Sequence, residues 1–189
     1  MTQQGKNAID LVLAESLIEL SAKKPIDKIT IKEITDKAGV IRPTFYNHFQ
    51  DKYELIEWII KTELLEPLKP LLNAGMIFEA IVLMLNNISA NSVFYKKALK
   101  LEGAVTFNQI AMKCVCEMFM NIISEKSTGK KSKYRWLTPE VISTYYAQSL
   151  CFITEGWIAQ GMDDIEPKEM AEAYMYLITR SMDDILSEL

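Results

Sequence analysis

The sequence predicts an all-α protein, and three observations support that fold class. Apolar residues recur at spacings of three and four over most of the 189 residues, as expected for helices with one buried face. Val, Ile and Thr do not alternate with a period of two over any long stretch, which argues against strands. Glycine is scarce, and Pro25, Pro67 and Pro70 stand where helical patterns end. We expect about nine helices, divided between a short N-terminal domain and a larger C-terminal bundle.

The composition fits a folded protein, and the charge is unevenly distributed along the chain. The formal net charge of -4 argues against a protein that is basic over its whole surface. From Lys23 to Lys52, however, seven lysines and arginines stand against four acidic residues, an excess of three positive charges. Chance surface charge explains such an excess equally well, so a binding motif has to be sought in the residues themselves.

Little in the sequence favours enzymatic or metal chemistry. The single histidine, His48, excludes zinc sites with several histidine ligands, and we find neither a glycine-rich phosphate loop nor a nucleophile and base at a catalytic spacing. Cys114, Cys116 and Cys151 do not make a disulfide framework and are interpreted as buried small residues. We expect no enzyme, no cofactor and no metal. No apolar run approaches the ~20 residues of a membrane span, and no secretory signal is recognised, so we expect a cytoplasmic protein without a membrane partner.

The helices near the N-terminus have explicit boundaries in the sequence. Thr30 and Glu33 form a capping box that starts one helix, and Gly39 supplies the left-handed residue that ends it. Pro43 is preset for the first turn of another helix, and Asp51 caps the next. The predicted helices are 6–22, 30–38, 43–49, 51–65, 76–88, 92–100, 104–125, 139–160 and 167–187. Residues 126–137 are polar and basic, which indicates a surface loop.

The segment from Thr30 to Phe49 has the pattern of a helix-turn-helix. Its two short helices are joined by a tight turn at residues 37–40, where small residues let the helices approach closely. The residues expected to form its small core are Ile31, Ile34, Ala38, Val40, Phe45 and Phe49. On a helical wheel, Phe45 and Phe49 lie about 40° apart and mark the buried side of the second helix. A helix held in this way stands proud of the surface and fits the major groove of DNA.

The exposed side of that second helix carries groups suited to DNA. The residues on this side are Pro43, Thr44, Tyr46 and Asn47, and Arg42 lies at the start of the helix. Asparagine can bond adenine through two hydrogen bonds, arginine can bond guanine, and threonine offers a methyl and a hydroxyl group. The side chains suited to phosphates are Tyr46, Lys52 and, in the first turn of the preceding helix, Thr30 and Lys32. The N-terminus of that preceding helix adds a partial positive charge.

These residues resemble the recognition-helix signature of the TetR family of bacterial transcription regulators. The segment VIRPTFYNHFQDKYEL matches the family pattern Val-x-x-x-Thr-Phe/Leu-Tyr-x-His-Phe, followed by a lysine that begins the next helix. The resemblance covers residues 8–65 and implies a three-helix DNA-binding domain. It implies that bases are contacted by Arg42, Thr44 and Asn47, and the DNA backbone by Thr30, Lys32, Tyr46, His48 and Lys52. A packing or bonding role within the domain is the alternative for His48.

The same resemblance implies how the C-terminal region assembles. In the family, the last two long helices pair with those of a second subunit, and here these are 139–160 and 167–187. Both are too apolar around their circumference to face water on all remaining sides, although core burial within one chain is the alternative. The expected interface residues are Tyr145, Ile153, Trp157, Tyr174, Leu177 and Ile178. A homodimer would match the two half-sites of a palindromic operator in double-stranded DNA.

A cavity for a small-molecule effector is a further implication of the resemblance. It would lie between helices five to eight, in a region rich in aromatic and methionine residues. The residues expected to line it are Phe78, Phe94, Phe107, Met112, Phe119 and Phe152. Stripes of such residues are also typical of an ordinary core, so the sequence alone does not decide which of them line a cavity.

Two functional hypotheses come from these patterns. The first is a homodimeric repressor released by an unknown small-molecule effector. Its residues 1–52 would form the DNA-binding domain, joined by the helix 51–65 to an effector-binding and dimerisation domain, 53–189. The second rests on a finer resemblance of FYNHFQDKYELIEWI to the TetR-like activators of dihydroxyacetone kinase operons. It is an activator, or a regulator switched by a protein partner, in which a tight pocket would be absent or collapsed.

Overall fold

The computed structural model describes residues 3–103, 105–126 and 132–188, and these residues form helices and turns without any strand. The all-α prediction is therefore confirmed. The helices are α1 (Gln3–Ser21), α2 (Ile31–Ala38), α3 (Arg42–Tyr46), α4 (Lys52–Ile59), α5 (Lys69–Asn73), α6 (Ile77–Ala90), α7 (Ser92–Ala98), α8 (Phe107–Lys126), α9 (Pro139–Ala159), α10 (Pro167–Thr179) and α11 (Met182–Glu188). Short 3-10 turns span Ile26–Lys28 and Glu66–Leu68, and a π-helical segment spans Ile60–Leu65.

The capping signals of α2 are confirmed atom by atom. The Thr30 hydroxyl accepts a hydrogen bond from the Glu33 amide, and the Glu33 carboxylate accepts one from the Thr30 amide at 2.9 Å. A hydrogen bond from the Lys24 ammonium, followed by those from Thr30, lowers the pKa of Glu33 to about 2. The capping carboxylate therefore stays ionised across the neutral range. Gly39 ends the helix with φ at 69°, in the left-handed region that favours glycine.

The N-terminal core holds the short helices together. Phe45 of α3 is fully buried and Phe49 just beyond it is 4% exposed, and both belong to one core with Leu17 of α1 and Ile34 of α2. The Phe45 and Phe49 ring centres are 5.8 Å apart. This core fixes the angle at which α3 leaves α2, as the sequence predicted.

Helix α4 leads from this small domain into the C-terminal bundle, and other helical segments follow it directly. It continues as the π-helical segment Ile60–Leu65 and then as a 3-10 turn and α5. The prediction that Pro67 and Pro70 only end the helix 51–65 is wrong, because α5 follows. Each proline instead occupies the first turn of a short helical element, where its missing amide donor costs nothing.

Helices α8 and α9 form the centre of the C-terminal bundle and run antiparallel. Near one end the Asn108 amide donates to the Glu155 carboxylate at 2.5 Å, and near the other the rings of Phe119 and Tyr146 lie 6.0 Å apart. Helix α10 packs mainly on α6. The start of α8 lies beside the N-terminal domain, because Lys113 is bonded to Glu57 of α4 at 2.9 Å. The C-terminal end of α8 therefore points away from that domain.

The predicted single helix 167–187 is wrong, because it is broken into α10 and α11. Arg180 is extended, with φ at -107° and ψ at 151°. Ser181 then caps α11: its hydroxyl donates to the Asp184 carboxylate at 2.6 Å and accepts from the Asp184 amide. A serine with an acidic residue three positions later favours the start of a new helix. Here this signal breaks the helix that the continuous apolar pattern predicted.

The predicted surface loop 126–137 is only partly described. Lys126 is the last residue of α8, residues 127–131 lie outside the described residues, and residues 132–138 are exposed. No single helix among the described residues is long and apolar enough to cross a membrane, and only α6 with α7, bent by 87°, would pass on length and composition as a pair.

Candidate DNA-binding site

Helix α3 presents one exposed face, as the helical wheel predicted. The helix is shorter than the predicted 43–49 and ends at Tyr46, with Asn47 as its C-cap. The Asn47 amide still donates to the Pro43 carbonyl at 3.1 Å, so its side chain follows the helical path. Arg42, Pro43, Tyr46 and Asn47 are exposed, and Thr44 is half-buried. The residues expected to face DNA therefore share one accessible surface.

Arg42 and Tyr46 hold each other on this surface. The Arg42 guanidinium donates to the Tyr46 hydroxyl at 3.0 Å and lies 5.7 Å from the centre of its ring. The contact combines a hydrogen bond with a cation–π interaction between side chains four residues apart. It orders both side chains before DNA arrives, which reduces the entropy that binding must remove.

Thr30 and Lys32 lie at the exposed start of α2. The Thr30 hydroxyl serves the capping box, and the Lys32 ammonium pairs with Asp36 at 2.6 Å, which raises the pKa of Lys32. Exposed pairs of this kind contribute little to stability. Lys32 can therefore exchange Asp36 for a phosphate at small cost, whereas Thr30 already has intramolecular partners.

Lys52, which the sequence predicts to contact the DNA backbone, is hydrogen-bonded within the protein. Its ammonium donates to the carbonyls of Ile26, Asp27 and Ile29 at 3.0, 2.6 and 3.1 Å. An ammonium group has three donors, and all three are used here. Burial lowers the pKa of Lys52. The side chain therefore clamps the turn before α2 onto α4, and its three donors have partners within the protein.

His48, which the sequence also predicts to contact the DNA backbone, is bonded within the protein as well. Its side chain is 1% exposed, and Nδ1 lies 2.6 Å from the Asp10 carboxylate of α1. The ring is enclosed in the domain. His48 therefore bonds within the domain, and its side chain does not reach the DNA backbone. Asp10 was missed from the sequence because nothing in the local pattern relates two residues 38 positions apart.

The dimer residues predicted from sequence fall into two groups. Tyr145 and Leu177 are exposed by 62% and 47%, and Ile153 and Ile178 are half-buried. Trp157 and Tyr174, by contrast, are buried within one chain. The Trp157 indole donates to the Ile165 carbonyl at 2.9 Å, and the Tyr174 hydroxyl bonds Ser149 at 3.1 Å. These two residues stabilise the protomer and do not form a subunit interface.

The predicted pocket residues do not converge on one cavity. Phe94 and Phe107 are buried, Phe78, Met112 and Phe119 are half-buried, and Phe152 is 76% exposed on α9. The apolar cavity nearest this region measures ~40 Å³, and of the predicted set only Phe107 lines it. Phe152 is mostly exposed and does not line this cavity.

One polar group stands out in that small cavity. The Thr154 hydroxyl oxygen of α9 is buried and has no hydrogen-bond partner among the described residues. It lies among apolar side chains that include Ile60, Met84 and Leu150. A buried hydroxyl without a partner is costly, so this position is a candidate contact for any molecule that enters.

A larger groove of ~340 Å³ lies open between the α4–α5 region and α8. Its cations are already paired, since Lys61 bonds Glu117 at 2.6 Å and Lys69 bonds Glu66 at 2.6 Å. Effector pockets are mostly apolar and enclosed, with few polar groups. This groove is charged and open, so it differs from such a pocket.

An ion-pair cluster links α4 to α8. Glu57 accepts from Lys61 at 2.8 Å and from Lys113 at 2.9 Å, and Lys61 also reaches Glu117. Burial would raise the pKa of Glu57, but the hydrogen bonds from Lys61 and Lys113 lower it overall. Sequence reasoning missed this cluster, because Glu57 and Lys113 are 56 residues apart in the chain. In the part of the chain that is described, no group of three or more His, Cys, Asp or Glu side chains is placed to hold a metal ion.

The role assigned to Lys52 can be tested by its effect on folding. Substitution Lys52→Met removes one hydrogen bond from each of three carbonyls, so the free energy of unfolding should fall by about 1–3 kcal/mol. Urea denaturation followed by circular dichroism measures this change. The control Lys32→Met removes an exposed lysine and should change stability by less than about 0.5 kcal/mol. Equal effects of the two substitutions would contradict the clamp.

Comparisons with known proteins agree with this architecture. A family model for bacterial regulatory proteins of the tetR family matches residues 15–59, and a model for a transcriptional regulator C-terminal region matches residues 76–180. The HTH-type dhaKLM operon transcriptional activator DhaS of Lactococcus lactis subsp. lactis (strain IL1403) is 26% identical over 156 residues, which cover 79% of each chain.

Solved structures show the same fold. The dihydroxyacetone kinase operon activator DhaS superposes with a TM-score of 0.60 at 21% identity, over 90% of this chain and 93% of that one. NalD of Pseudomonas aeruginosa, the secondary repressor of the MexAB-OprM multidrug efflux pump, gives a TM-score of 0.60 at 14% identity, over 92% and 96%. Because the C-terminal family model alone spans more than half of the sequence and the N-terminal model covers the helix-turn-helix, the chain belongs to the TetR family of DNA-binding transcriptional regulators.

Proposed function

We propose that the chain acts in the cytoplasm as a homodimer that reads a palindromic operator in double-stranded DNA through α3. The observation that carries this proposal is the exposed face of α3, held by the buried Phe45 and Phe49. In this proposal Arg42, Thr44 and Asn47 contact bases, and Lys32 and Tyr46 contact phosphates. Thr44 is half-buried on the α3 face, and Lys32 lies at the start of α2. The division into a DNA-binding domain, 1–52, and a second domain, 53–189, is supported by the separate ranges of the two family matches.

A base contact by Asn47 and a phosphate contact by Lys32 should have different effects on DNA binding when each residue is substituted. Substitution Asn47→Ala should cost roughly 1–3 kcal/mol at one base pair of each half-site and leave other positions unchanged. Substitution Lys32→Ala should weaken binding to all sequences about equally and reduce the salt slope by about one. Fluorescence anisotropy with single-base operator variants separates the two patterns. An unchanged base preference in Asn47→Ala would remove that residue from the reading set.

The dimer is supported by exposed apolar residues on α9 and α10. Tyr145 and Phe152 lie seven residues apart, on the same side of α9, and are exposed by 62% and 76%. Leu177 adds an exposed apolar side chain on α10. Large apolar side chains at such spacing, left in water, are typical of a protein–protein contact. Phe152, first expected in a pocket, thus becomes the residue best placed for the interface.

The dimer proposal predicts that Phe152→Glu produces monomers. A charge at the centre of an apolar interface would be desolvated without a partner, which strongly disfavours association. Light scattering at micromolar concentration measures the mass. The control Trp136→Glu changes another highly exposed aromatic residue, outside α9 and α10, and should leave the dimer intact. A monomeric unmodified chain would contradict the dimer, and a dimeric Phe152→Glu variant would contradict the assigned interface.

We further propose that a protein partner switches this regulator and that it acts as an activator. A cavity of ~40 Å³ is far below the roughly 300–1,000 Å³ of typical ligand pockets. The similarity to DhaS, which is a transcriptional activator, supports the activator part of this proposal. Release of a repressor by a small molecule remains the second candidate, and the buried Thr154 hydroxyl is the observation that favours it.

Substitution Thr154→Val distinguishes the two switches. It removes the unpartnered hydroxyl while nearly keeping the shape of the side chain, and Thr154→Ser keeps the hydroxyl as a control. A partner-switched regulator should retain its response in both variants, because the cavity takes no part in switching. A reporter gene behind the operator, assayed in source cells, measures the response. Loss of response in Thr154→Val alone, with operator binding intact, would favour the small-molecule effector.

A further inference from the structure

The connection between α8 and α9 ends in an exposed tip formed by Lys133, Tyr134, Arg135 and Trp136. Trp136 is 74% exposed and Tyr134 is 61% exposed. Every residue from Ser132 to Glu140 is exposed, so no described part of the protomer covers these rings. Trp58 is half-buried and Trp157 is buried, which leaves Trp136 as the one tryptophan that the structure presents to water. Exposing an indole of this size is unfavourable unless another surface covers it.

The backbone of the α8–α9 tip is a hydrogen-bonded turn. The Leu137 amide donates to the Tyr134 carbonyl at 3.1 Å, and the Thr138 amide donates to the Trp136 carbonyl at 2.9 Å. The Tyr134 amide donates to the Ser132 hydroxyl, and the Lys133 ammonium lies 5.5 Å from the Tyr134 ring centre. These contacts fix the direction in which the side chains leave the backbone. A preorganised turn loses little conformational entropy when it binds.

The residue types of the tip are those that dominate protein–protein binding energy. Trp, Tyr and Arg are the three residues most enriched among hot spots, and here they are consecutive in the chain. Neither aromatic ring packs on the hydrophobic core that the described residues form. The tip therefore has the composition of an anchor that fills a pocket on another protein.

The charge of the tip indicates the chemistry of that protein. Residues 132–138 contain Lys133 and Arg135 and no carboxylate, in a chain whose net charge is -4. Neither cation forms a salt bridge within the described ranges. Glu140, the next carboxylate, is bonded to the Thr138 hydroxyl at the start of α9, which lowers its pKa. The tip is thus a local cationic surface that an acidic partner complements.

The position of the tip is compatible with simultaneous DNA binding. Helix α8 starts beside α4 of the DNA-binding domain, and its 20 residues extend for about 30 Å. Lys126 at its far end is anchored by a hydrogen bond of 2.7 Å to the Leu72 carbonyl of α5. A protein bound at the tip would therefore stand clear of the operator.

We propose that the α8–α9 tip is the docking surface for an acidic protein, whose carboxylates pair with Lys133 and Arg135 around an apolar notch that receives Trp136. This inference rests on the proposed switching by a protein partner and names the surface that the partner engages. It assigns no role to the interior cavity.

The test uses the purified full-length chain and a fluorescently labelled random copolymer of glutamate and tyrosine as an acidic, aromatic probe. Anisotropy at ~0.15 M ionic strength measures binding. The substitutions Trp136→Ala and Lys133→Glu should each weaken binding at least about tenfold, as expected for residues at a hot spot. The control Lys168→Glu reverses an exposed lysine on α10 and should leave the affinity unchanged. Polylysine should not bind at the tip.

Other outcomes would overturn the assignment. Equal affinity of all variants for the copolymer, or no binding, would show that the tip recognises no acidic chain. Stronger binding to anionic vesicles or to non-operator duplex DNA, lost in the same variants, would make the tip a membrane or nucleic-acid contact. A change in mass by light scattering for Trp136→Ala would mean that a second copy covers it. The Thr154→Val reporter assay does not involve the tip, so failure here is distinguishable from failure of the partner switch.

Discussion

The burial of two phenylalanines is the constraint on which the candidate site depends. Helix α3 has only five residues, far too few to be stable alone, because helix nucleation is unfavourable and short helices do not persist in water. Phe45 and Phe49 supply the missing stability, since each buried side chain of this size contributes roughly 1.5–3 kcal/mol. They also decide which face of α3 is exposed. The face of α3 that is available to DNA is therefore the face opposite the buried Phe45 and Phe49.

The same domain is tied to the rest of the molecule by polar contacts along α4. Lys52 at its start holds the turn before α2, and Glu57 one and a half turns later bonds Lys113 of α8. A partner that shifts α8 would thus act on the helix that carries the clamp. Because coupling is reciprocal, DNA binding would change the affinity for that partner by the same factor. Helix α3 is connected to the ion-pair cluster through packed helices, since α2 contacts α3, α1 contacts α2 and α4, and α4 contacts α8.

Local signals in the sequence predicted the DNA-binding domain well, and long-range contacts explain where prediction failed. The capping box of Thr30 and the left-handed Gly39 depend on residues within a few positions, so they could be read directly. The roles of Lys52 and His48 depend on partners 23 or more residues away, which the family pattern did not reveal. Phe152 and Trp157 looked alike in an apolar pattern, and only the packing of α9 distinguishes a surface ring from a buried one. The broken C-terminal helix shows that a serine cap can interrupt an apolar stripe.

The central claim is that the exposed face of α3 reads a palindrome as part of a dimer. The most direct measurement is to capture sheared genomic DNA from the source organism with the purified chain and to footprint the bound fragments. The account predicts one enriched palindrome whose half-sites lie one helical turn apart, about 10–10.5 base pairs or a multiple of it. Recovery of no sequence above background, or of single half-sites without symmetry, would contradict it.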